Sequence, residues 1–356
     1  MTDPTGRVTI AFNGEIYNFR KLRRELASEG WQFRSEGDTE VVLALYCKLG
    51  TQMFDQLDGM FAVAIYDQNA GRLVMGRDRL GQKPLWYAPL ADRLIFGSEA
   101  KAILAGTSVG TEIDPNAVTE YLTLGYISSP KSIWGGINKL EPGSVAVVEG
   151  PDFQSKRYWR PSVVDLPAGS AEQLELVRAG VARAVESRMV SDVPLGALLS
   201  GGLDSAIVVA LMAKSAGSAG GVKTFTAGFA DPQYDERPLA RLVAKHYRTE
   251  HTEVEIKVNA VSAVDDVLNM YDEPFGDSSA IATHLICKAA RQSVTVALAG
   301  DGGDEVFGGY DRYRALLISQ TMGNAGYLAT KVAASLARPF ARGTERNRLR
   351  RLIRFA

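Results

Sequence analysis

The 356-residue sequence has few of the residues that build disulfide frameworks and metal sites, with two cysteines and three histidines. Cys47 and Cys287 are too few for a disulfide scaffold, and each lies in an apolar helix-like run, so both are expected to be buried structural thiols. The histidines share no metal-ligand spacing, which disfavours a histidine metal site. No apolar run reaches transmembrane length and no signal peptide is recognisable, which predicts a cytoplasmic protein.

The chain also lacks an excess of either charge. Its 40 lysines and arginines oppose 41 aspartates and glutamates, a net charge of −1, which argues against a nucleic-acid-binding protein. Apolar residues make up 46% of the chain, as in ordinary globular proteins, and the length suggests two domains. Proline, glycine and serine are frequent over Pro161–Ser170, and the periodic apolar pattern of the flanking segments is weak there. We therefore predict one domain at residues 1–162 and a second at residues 170–356.

The most informative motif is a glycine loop between a strand-like and a helix-like run. Ser200–Ser205 has the sequence Ser-Gly-Gly-Leu-Asp-Ser, between the apolar runs Leu195–Leu199 and Ala206–Ala213. A strand, a glycine turn and a helix N-terminus together form a cradle for anions such as phosphate. Asp204 would repel a bare phosphate, so it predicts an intervening Mg²⁺. No Gly-Lys-Ser/Thr follows, which excludes a Walker A loop. A turn that merely caps a helix is the simpler alternative.

A second, acidic glycine loop follows the apolar run Val294–Ala299. Gly300–Glu305 has the sequence Gly-Asp-Gly-Gly-Asp-Glu, and three carboxylates this close repel one another unless a cation or a cationic substrate group shares the site. Ligands bind at the carboxyl ends of strands in open α/β sheets. A solvated turn or a Ca²⁺ loop is the simpler interpretation, but the spacing does not follow the EF-hand pattern.

Together, these loops resemble a known family of ligases. Ser200–Ser205 is similar to the pyrophosphate loop (PP-loop) of ATP pyrophosphatases. Combined with Gly300–Tyr310 and with Glu273–Ser279 between them, it resembles the synthetase domain of the asparagine synthetase family, especially its bacterial form. The resemblance implies an α/β domain with a doubly wound parallel sheet, which cleaves ATP between its α and β phosphates and adenylates a carboxylate.

The same resemblance implies roles for particular residues. Asp204 and Asp304 would hold Mg²⁺, Asp301 would be the catalytic residue implicated in forming a β-aspartyl adenylate, and Glu305 would contact the substrate's amino group. The implied ATP-binding residues are Leu198, Ser200, Gly201, Gly202, Leu203, Asp204, Ser205, Ala227, Ala299 and Gly300.

The front of the chain carries a separate pattern. Val8–Phe12 is strand-like and is followed by Asn13-Gly14-Glu15, where Asn-Gly by itself predicts a hairpin turn. Two helix-like and four strand-like segments come next: Arg20–Glu29, Val41–Leu49, Phe61–Tyr66, Leu73–Gly76, Leu85–Ala88 and Leu94–Gly97. This order resembles the glutamine amidotransferase domain of the same family, an N-terminal-nucleophile α+β layered sandwich. The resemblance implies a glutamine site at Asn13, Gly14, Glu15 and Asp38, since carboxylates suit the ammonium of glutamine.

Both ends fall short of the family's pattern. The family's glutaminase nucleophile is an amino-terminal cysteine whose α-amine is the base, whereas Thr2 follows the initiator here. Several family strands are missing before Asn13, so we expect no glutamine hydrolysis by this chain and an unpaired sheet edge at Val8–Phe12. The family's synthetase domain also continues beyond the arginine-rich stretch Arg338–Arg354. The chain is therefore expected to be truncated at both ends.

Two classes of function stay open. The first is an ATP-dependent, amide-forming ligase of the asparagine synthetase type, with ATP, Mg²⁺, aspartate and glutamine or ammonia as its small-molecule partners. A near alternative amidates another carboxylate, such as a polysaccharide uronic acid or a β-lactam precursor. The second class is an inactive nucleotide-binding fragment. A homodimer is left open, and neither a nucleic acid nor a membrane is expected as a partner.

Overall fold

The computed structural model describes residues 1–106, 109–164, 167, 169–217, 221–256, 260–277, 279–318 and 320–321. Arg338–Arg354 and Ser278 lie outside the described residues. Contacts divide the chain into two units. The first contains Met1–Leu195, Ala227–Asp235 and Glu253–Val296, and the second contains Gly196–Thr226, Glu236–Thr252 and the residues from Ala297 onward. The domain boundary expected between residues 162 and 170 stays a prediction.

The front of the chain is built on an antiparallel five-stranded sheet in the order β1-β2-β3-β7-β8. Its strands are β1 (Val8–Ile16), β2 (Gly59–Asp67), β3 (Arg72–Arg77), β7 (Ser144–Glu149) and β8 (Asp152–Arg157). Along β2, Phe61, Val63 and Ile65 join one core cluster, whereas Ala62 and Ala64 join another. Because side chains alternate along a strand, each face of the sheet supports its own core.

Helices cover one face of this sheet. They are α1 (Phe19–Ser28), α2 (Asp38–Leu49) and a 3-10 helix at Gly50–Asp55. In α1, Leu22 and Leu26 are buried, as expected for residues four apart on one helix face. In α2, every residue from Glu40 to Tyr46 is buried. The helix therefore forms the centre of this core and holds Asp38 at its first position.

A small sheet packs against the other face, in the order β5-β4-β6. Its strands are β4 (Trp86–Pro89), β5 (Leu94–Gly97) and β6 (Asn138–Lys139). Leu85 and Leu140 share a core cluster with Ala62 and Ala64 of β2. Helix α3 (Ala100–Gly106) packs on the small sheet, and α4 (Pro115–Leu124) follows in the chain. The predicted α+β layered sandwich is confirmed.

The back of the chain contains a four-stranded sheet in the order β11-β10-β9-β12. Its strands are β9 (Leu195–Leu198), β10 (Lys223–Gly228), β11 (Glu250–Glu255) and β12 (Val296–Leu298), and β9 and β10 run parallel. The chain adds β10 and β11 on one side of β9 and later returns to add β12 on the other side. This reversal is the hallmark of a doubly wound sheet, as predicted, and ligands bind at such a switch point.

Helices precede, connect or follow these strands: α5 (Ser170–Arg188), α6 (Leu203–Ala216), α7 (Arg237–Tyr247), α8 (Ala260–Met270), α9 (Ser279–Ala290) and α10 (Gly303–Phe307). In α6 the buried residues are Ser205, Val209 and Met212, one stripe at helical spacing. This stripe fixes the start of α6 beside the end of β9. Within the part of the chain that the structure describes, no helix combines the length and apolar character needed to cross a membrane.

Candidate nucleotide and glutamine sites

The loop Ser200–Ser205 follows β9 and leads into α6. The Leu199 N–H donates to the Phe225 carbonyl at 2.8 Å, and the Thr226 hydroxyl donates to the Leu199 carbonyl at 2.5 Å. Strand β10 therefore anchors the start of the loop. Gly202 is the N-cap residue of α6 and supplies no side-chain cap. Backbone N–H groups at a helix N-terminus can bind anions, and here the Gly201 N–H donates to the Glu236 carboxylate at 3.3 Å.

The two serines shape the loop. Their Oγ atoms lie 2.8 Å apart, and the Gly202 N–H donates to Ser200 Oγ at 3.1 Å. Ser205 is only 5% exposed, whereas Ser200 is exposed. A Cβ at Gly201 would lie 2.8 Å from Leu239 Cβ. Glycine is therefore needed where the loop passes α7.

The structure brings the two glycine loops together at Asp204. A Cβ at Gly300 would lie 2.7 Å from the Ser205 nitrogen, and one at Gly303 would lie 2.6 Å from the Asp204 carboxylate carbon. Gly302, between them, has a φ of +91°, a left-handed conformation that favours glycine. Only residues without side chains let the loops approach this closely. The carboxylate of Asp204 consequently faces the start of α10.

The acidic residues of the second loop have different surroundings. Asp301 is exposed in the turn. The Asp304 carboxylate lies against Gly309, where no Cβ would fit. Glu305 accepts a hydrogen bond from the Tyr310 hydroxyl at 2.7 Å. This bond lowers the pKa of Glu305 and raises the pKa of Tyr310 to about 12, so Glu305 is the charged partner at neutral pH.

Asp204 and Asp304 are the residues predicted to hold Mg²⁺. Among the described residues, no three histidine, cysteine, aspartate or glutamate side chains form a group that could hold a metal ion. The Asp204 carboxylate does lie in the loop suited to phosphate, and Mg²⁺ commonly joins one or two carboxylates to substrate phosphates. Leu198, Ala227 and Ala299 are half-buried at or next to strand ends. Their contact with ATP stays a prediction.

The four predicted glutamine-binding residues lie near the carboxyl end of β1 and the start of α2. Asn13, Gly14 and Glu15 belong to β1, and the Asn13 side-chain amide donates to the Ser98 hydroxyl at 3.3 Å. Asp38 Oδ2 accepts the Ile16 N–H at 2.8 Å. Partial burial and then the Asp38 carboxylate raise the pKa of Glu15. Two neighbouring carboxylates of this kind favour a bound cation.

Sequence reasoning missed Asp78 as an organiser of the segment after β3. Its side chain is fully buried, and its carboxylate accepts N–H bonds from Phe61 at 3.2 Å, Leu80 at 3.1 Å, Gln82 at 3.0 Å and Lys83 at 2.9 Å. Four donors compensate for burying the charge. The sequence feature that could have identified Asp78 is an acidic residue at the end of an apolar strand and before a glycine turn.

The cysteines correct one expectation. Cys47 and Cys287 are exposed, so the prediction that both are buried is wrong, because an apolar run does not show which side of its helix faces solvent. Desolvation by the surrounding residues nevertheless raises the pKa of Cys47 to about 11, and the carboxylates of Asp3 and Asp67 act in the same direction. Cys47 is therefore a protonated thiol at neutral pH, unlike a catalytic thiolate.

The fold and loops define a PP-loop type α/β domain joined to an amidotransferase-like layered sandwich. Residues 176–355 match the asparagine synthase family model, and residues 1–159 match the model of a glutamine amidotransferase domain. The chain belongs to the asparagine synthase family.

Named relatives agree with this membership. A putative asparagine synthetase (glutamine-hydrolyzing) 2 of Methanocaldococcus jannaschii is 38% identical over 309 residues, covering 85% of this chain and 59% of the relative. Asparagine synthetase (glutamine-hydrolyzing) 1 of Bacillus subtilis is 34% identical over 307 residues, covering 86% of this chain and 48% of the relative. The chain spans about half the length of the curated relatives it matches.

Among solved structures, the glutamine phosphoribosylpyrophosphate amidotransferase from B. subtilis aligns over 78% of this chain and 72% of its own, with 13% identity and a TM-score of 0.33. This likeness is too weak to support an argument.

Proposed function

We propose that the chain carries the amide-forming part of an ATP-dependent ligase that converts L-aspartate to L-asparagine through a β-aspartyl-AMP intermediate, with glutamine or ammonia as nitrogen donor. The observation that carries this proposal is the meeting of the Ser200–Ser205 and Gly300–Glu305 loops at Asp204, on the switch point of a doubly wound sheet. Family membership supports aspartate as the substrate.

In this proposal each loop has its own task. The uncapped N-terminus of α6 binds the phosphates of ATP, since its N–H groups and dipole attract anions. An oxygen of the aspartate side-chain carboxylate attacks the α-phosphorus, pyrophosphate leaves, and ammonia then displaces AMP. Mg²⁺, held by Asp204 and Asp304, would neutralise charge on the departing pyrophosphate.

The acidic loop would recognise the amino acid and assist adenylation. Asp301 is exposed and therefore accessible to the reacting groups. Glu305 accepts one hydrogen bond from Tyr310, which leaves further carboxylate lone pairs for the substrate's ammonium. In the front region, Glu15 and Asp38 would bind the ammonium of glutamine in the same way, beside Asn13 and Gly14.

Pyrophosphate release tests this function. The full chain is incubated with Mg-ATP, aspartate and ammonium, and variants Asp204→Asn and Asp301→Asn are compared with Asp92→Asn, an exposed aspartate in the turn between β4 and β5. We expect aspartate-dependent release from the wild type and Asp92→Asn, and at least about a hundredfold loss in the two site variants, since each removes a charged group acting on the reaction.

Two outcomes contradict the proposal at different levels. Release that requires a uronic acid or another carboxylate, and not aspartate, would keep the ligase but reject the substrate. Full activity in Asp204→Asn would reject the role of the two-loop site.

A further inference from the structure

Asp272, just after α8, is bound by the region that matches the amidotransferase model. Its carboxylate accepts N–H bonds from Ala100 at 2.6 Å and from Lys101 at 3.4 Å, at the first turn of α3, where a negative charge is favourable. Its backbone carbonyl accepts the Trp134 indole N–H at 2.9 Å. Both the side chain and the backbone of Asp272 are therefore held by the front of the chain.

The next residue, Glu273, forms a largely buried ion pair with Lys139. Lys139 Nζ lies 2.5 Å from Glu273 Oε1, and the two side chains are 11% and 16% exposed. Lys139 Nζ also donates to the Ile127 carbonyl at 2.7 Å and lies 5.4 Å from the centre of the Trp86 ring. Glu273 accepts the Ile133 N–H at 3.2 Å. Burying charges is costly unless they are paired and hydrogen-bonded, and these contacts meet that condition.

A third attachment lies at Gly276. Its N–H donates to the Gly125 carbonyl at 2.7 Å, where Gly125 ends α4 in the left-handed conformation with a φ of +83°. A Cβ at Gly276 would lie 3.1 Å from the Gly125 carbonyl oxygen, so a side chain there would push the two backbones apart. The segment 272–276 is thus held at three points, and it leads directly to Asp277 and α9.

We propose that Lys139 and Glu273 are positioning residues for the amide-forming reaction. The inference rests on the proposed function and extends it. The ion pair acts through the segment 272–276, which contains the first residues of the Glu273–Ser279 motif that resembles a synthetase, and it touches no reacting atom. The amidotransferase-matching region is then a scaffold that the synthetase reaction requires, in addition to any role in supplying nitrogen. Synthesis from free ammonia should therefore depend on Lys139, although free ammonia makes glutamine hydrolysis unnecessary.

The test compares Lys139→Met, which removes the charge but keeps a long side chain, with the double variant Lys139→Met/Glu273→Gln. Lys131→Met is the matched control, because Lys131 is 54% exposed and pairs with Glu120 at 3.0 Å on the surface nearby. Two quantities are measured in the full chain: pyrophosphate release with ammonium as nitrogen donor, and hydrogen exchange of residues 271–277 by mass spectrometry.

We expect Lys139→Met to exchange faster at residues 271–277 and to lose at least about tenfold in kcat/KM for aspartate, with an unchanged KM for ATP. The double variant should recover part of this loss, since it leaves no unpaired buried charge, and Lys131→Met should behave like the wild type. If Lys139→Met does not fold, the double variant provides the same comparison.

Unchanged exchange at residues 271–277 would overturn the proposal, and so would wild-type kinetics for aspartate in Lys139→Met. A wild-type chain that releases no pyrophosphate would instead reject the proposed function. The exchange measurement would then still decide whether Lys139 holds the segment.

Discussion

At the scale of single residues, the clearest case is Glu40, a buried carboxylate in α2. It accepts N–H bonds from Arg34 at 2.9 Å and Ser35 at 2.7 Å, and the Ser35 hydroxyl bond at 2.6 Å. Burial by itself would raise the pKa of Glu40, but the bonds from Ser35 and Arg34 outweigh it and lower the pKa below the ordinary value of 4.5. Glu40 therefore stabilises the fold in its charged form.

We expect Glu40→Gln to lower the free energy of unfolding at pH 7 by about 1–3 kcal/mol, the effect of losing hydrogen bonds to a charged group. Because the folded pKa lies below the unfolded one, the contribution is complete above about pH 4.5 and disappears as the pH falls through the folded pKa. Urea unfolding between pH 3 and pH 7 measures the difference.

Glu36→Gln is the control, since the Glu36 side chain is 96% exposed and pairs only at the surface with Arg23. A difference between Glu40→Gln and the wild type that stays constant down to pH 3 would contradict this assignment.

Gly303 gives a second prediction at this scale. A Cβ at Gly303 would lie 2.6 Å from the Asp204 carboxylate carbon, so Gly303→Ala must displace this carboxylate. We expect an affinity for Mg-ATP weaker by about tenfold, a loss of one favourable charge contact, measured by calorimetry. Gly180→Ala is the matched control, because Gly180 has open space around it in α5 and alanine should stabilise the helix by about 0.5–1 kcal/mol. Equal affinities in the two variants would show that Asp204 does not act on the nucleotide.

Cys47 provides a chemical test of the front region. With a pKa of about 11, its thiol should react with iodoacetamide at a rate that keeps rising up to about pH 10, because only the thiolate is nucleophilic. The measurement uses a Cys287→Ser background so that one thiol reacts. A rate that is already maximal at pH 8 would show a catalytic type of thiolate and contradict this expectation.

At the scale of elements, strand β1 forms one edge of the five-stranded sheet, and part of this edge is paired. Ile10 exchanges two hydrogen bonds with Met1, at 2.8 and 2.9 Å, and Thr2 forms a bridge to Thr9. The expectation of an unpaired edge at Val8–Phe12 is therefore wrong for Val8 to Ile10, because residues 1 to 3 pair with this part of the strand. Since backbone groups alternate in direction along a strand, Phe12 and Gly14 point to the same side as Ile10, away from β2.

We therefore expect the Phe12 and Gly14 amides to exchange faster than those of Ala11 and Asn13, which face β2. Exchange followed by NMR separates these neighbours residue by residue. The contrast is expected because a hydrogen bond within the sheet protects an amide that an open edge does not. Equal protection of Ala11 and Phe12 would mean that another segment pairs with this edge.

Strands β1, β2 and β3 of the front sheet were predicted from the sequence, whereas β7 and β8 were not. The strand-like apolar run Phe61–Tyr66 and the following Asn69-Ala70-Gly71, which is typical of a hairpin loop, predict the hairpin that joins β2 and β3. Asn13-Gly14, a strong turn signal, instead lies inside β1, because pairing of all nine residues with β2 outweighs a local preference.

The candidate sites show the same limit. Both glycine loops could be found from the order of strand, glycine and acid. Their contact at Asp204 depends on the strand order, which the sequence alone does not give. The ion pair of Lys139 and Glu273 joins residues 134 positions apart, and neither residue stands out from its neighbours in the sequence.

At the scale of the whole molecule, the chain crosses between its two units five times. Because five chain connections join the two units, we expect them to unfold together. All four tryptophans belong to the first unit, namely Trp31, Trp86, Trp134 and Trp159, whereas the loops proposed to bind ATP belong to the second. Location in the cytoplasm and assembly as a homodimer stay predictions of the sequence.

We expect saturating Mg-ATP to shift the denaturation curve followed by tryptophan fluorescence, by about 2.7 kcal/mol at a concentration one hundred times Kd. Asp204→Asn should abolish the shift. If Mg-ATP shifts the denaturation curve followed by circular dichroism but not the curve followed by tryptophan fluorescence, the two units unfold independently.

The strand order also has a consequence for synthesis of the chain. Strands β9 and β12 are neighbours, yet about a hundred residues separate the loops that follow them. A ribosome must therefore make the chain at least to Glu305 before both halves of the proposed nucleotide site exist, and contacts between distant parts of a chain form slowly. A nascent chain that has emerged only as far as β11 has the glycine loop without its acidic counterpart. The nucleotide should accordingly stabilise finished chains and offer little protection to growing ones.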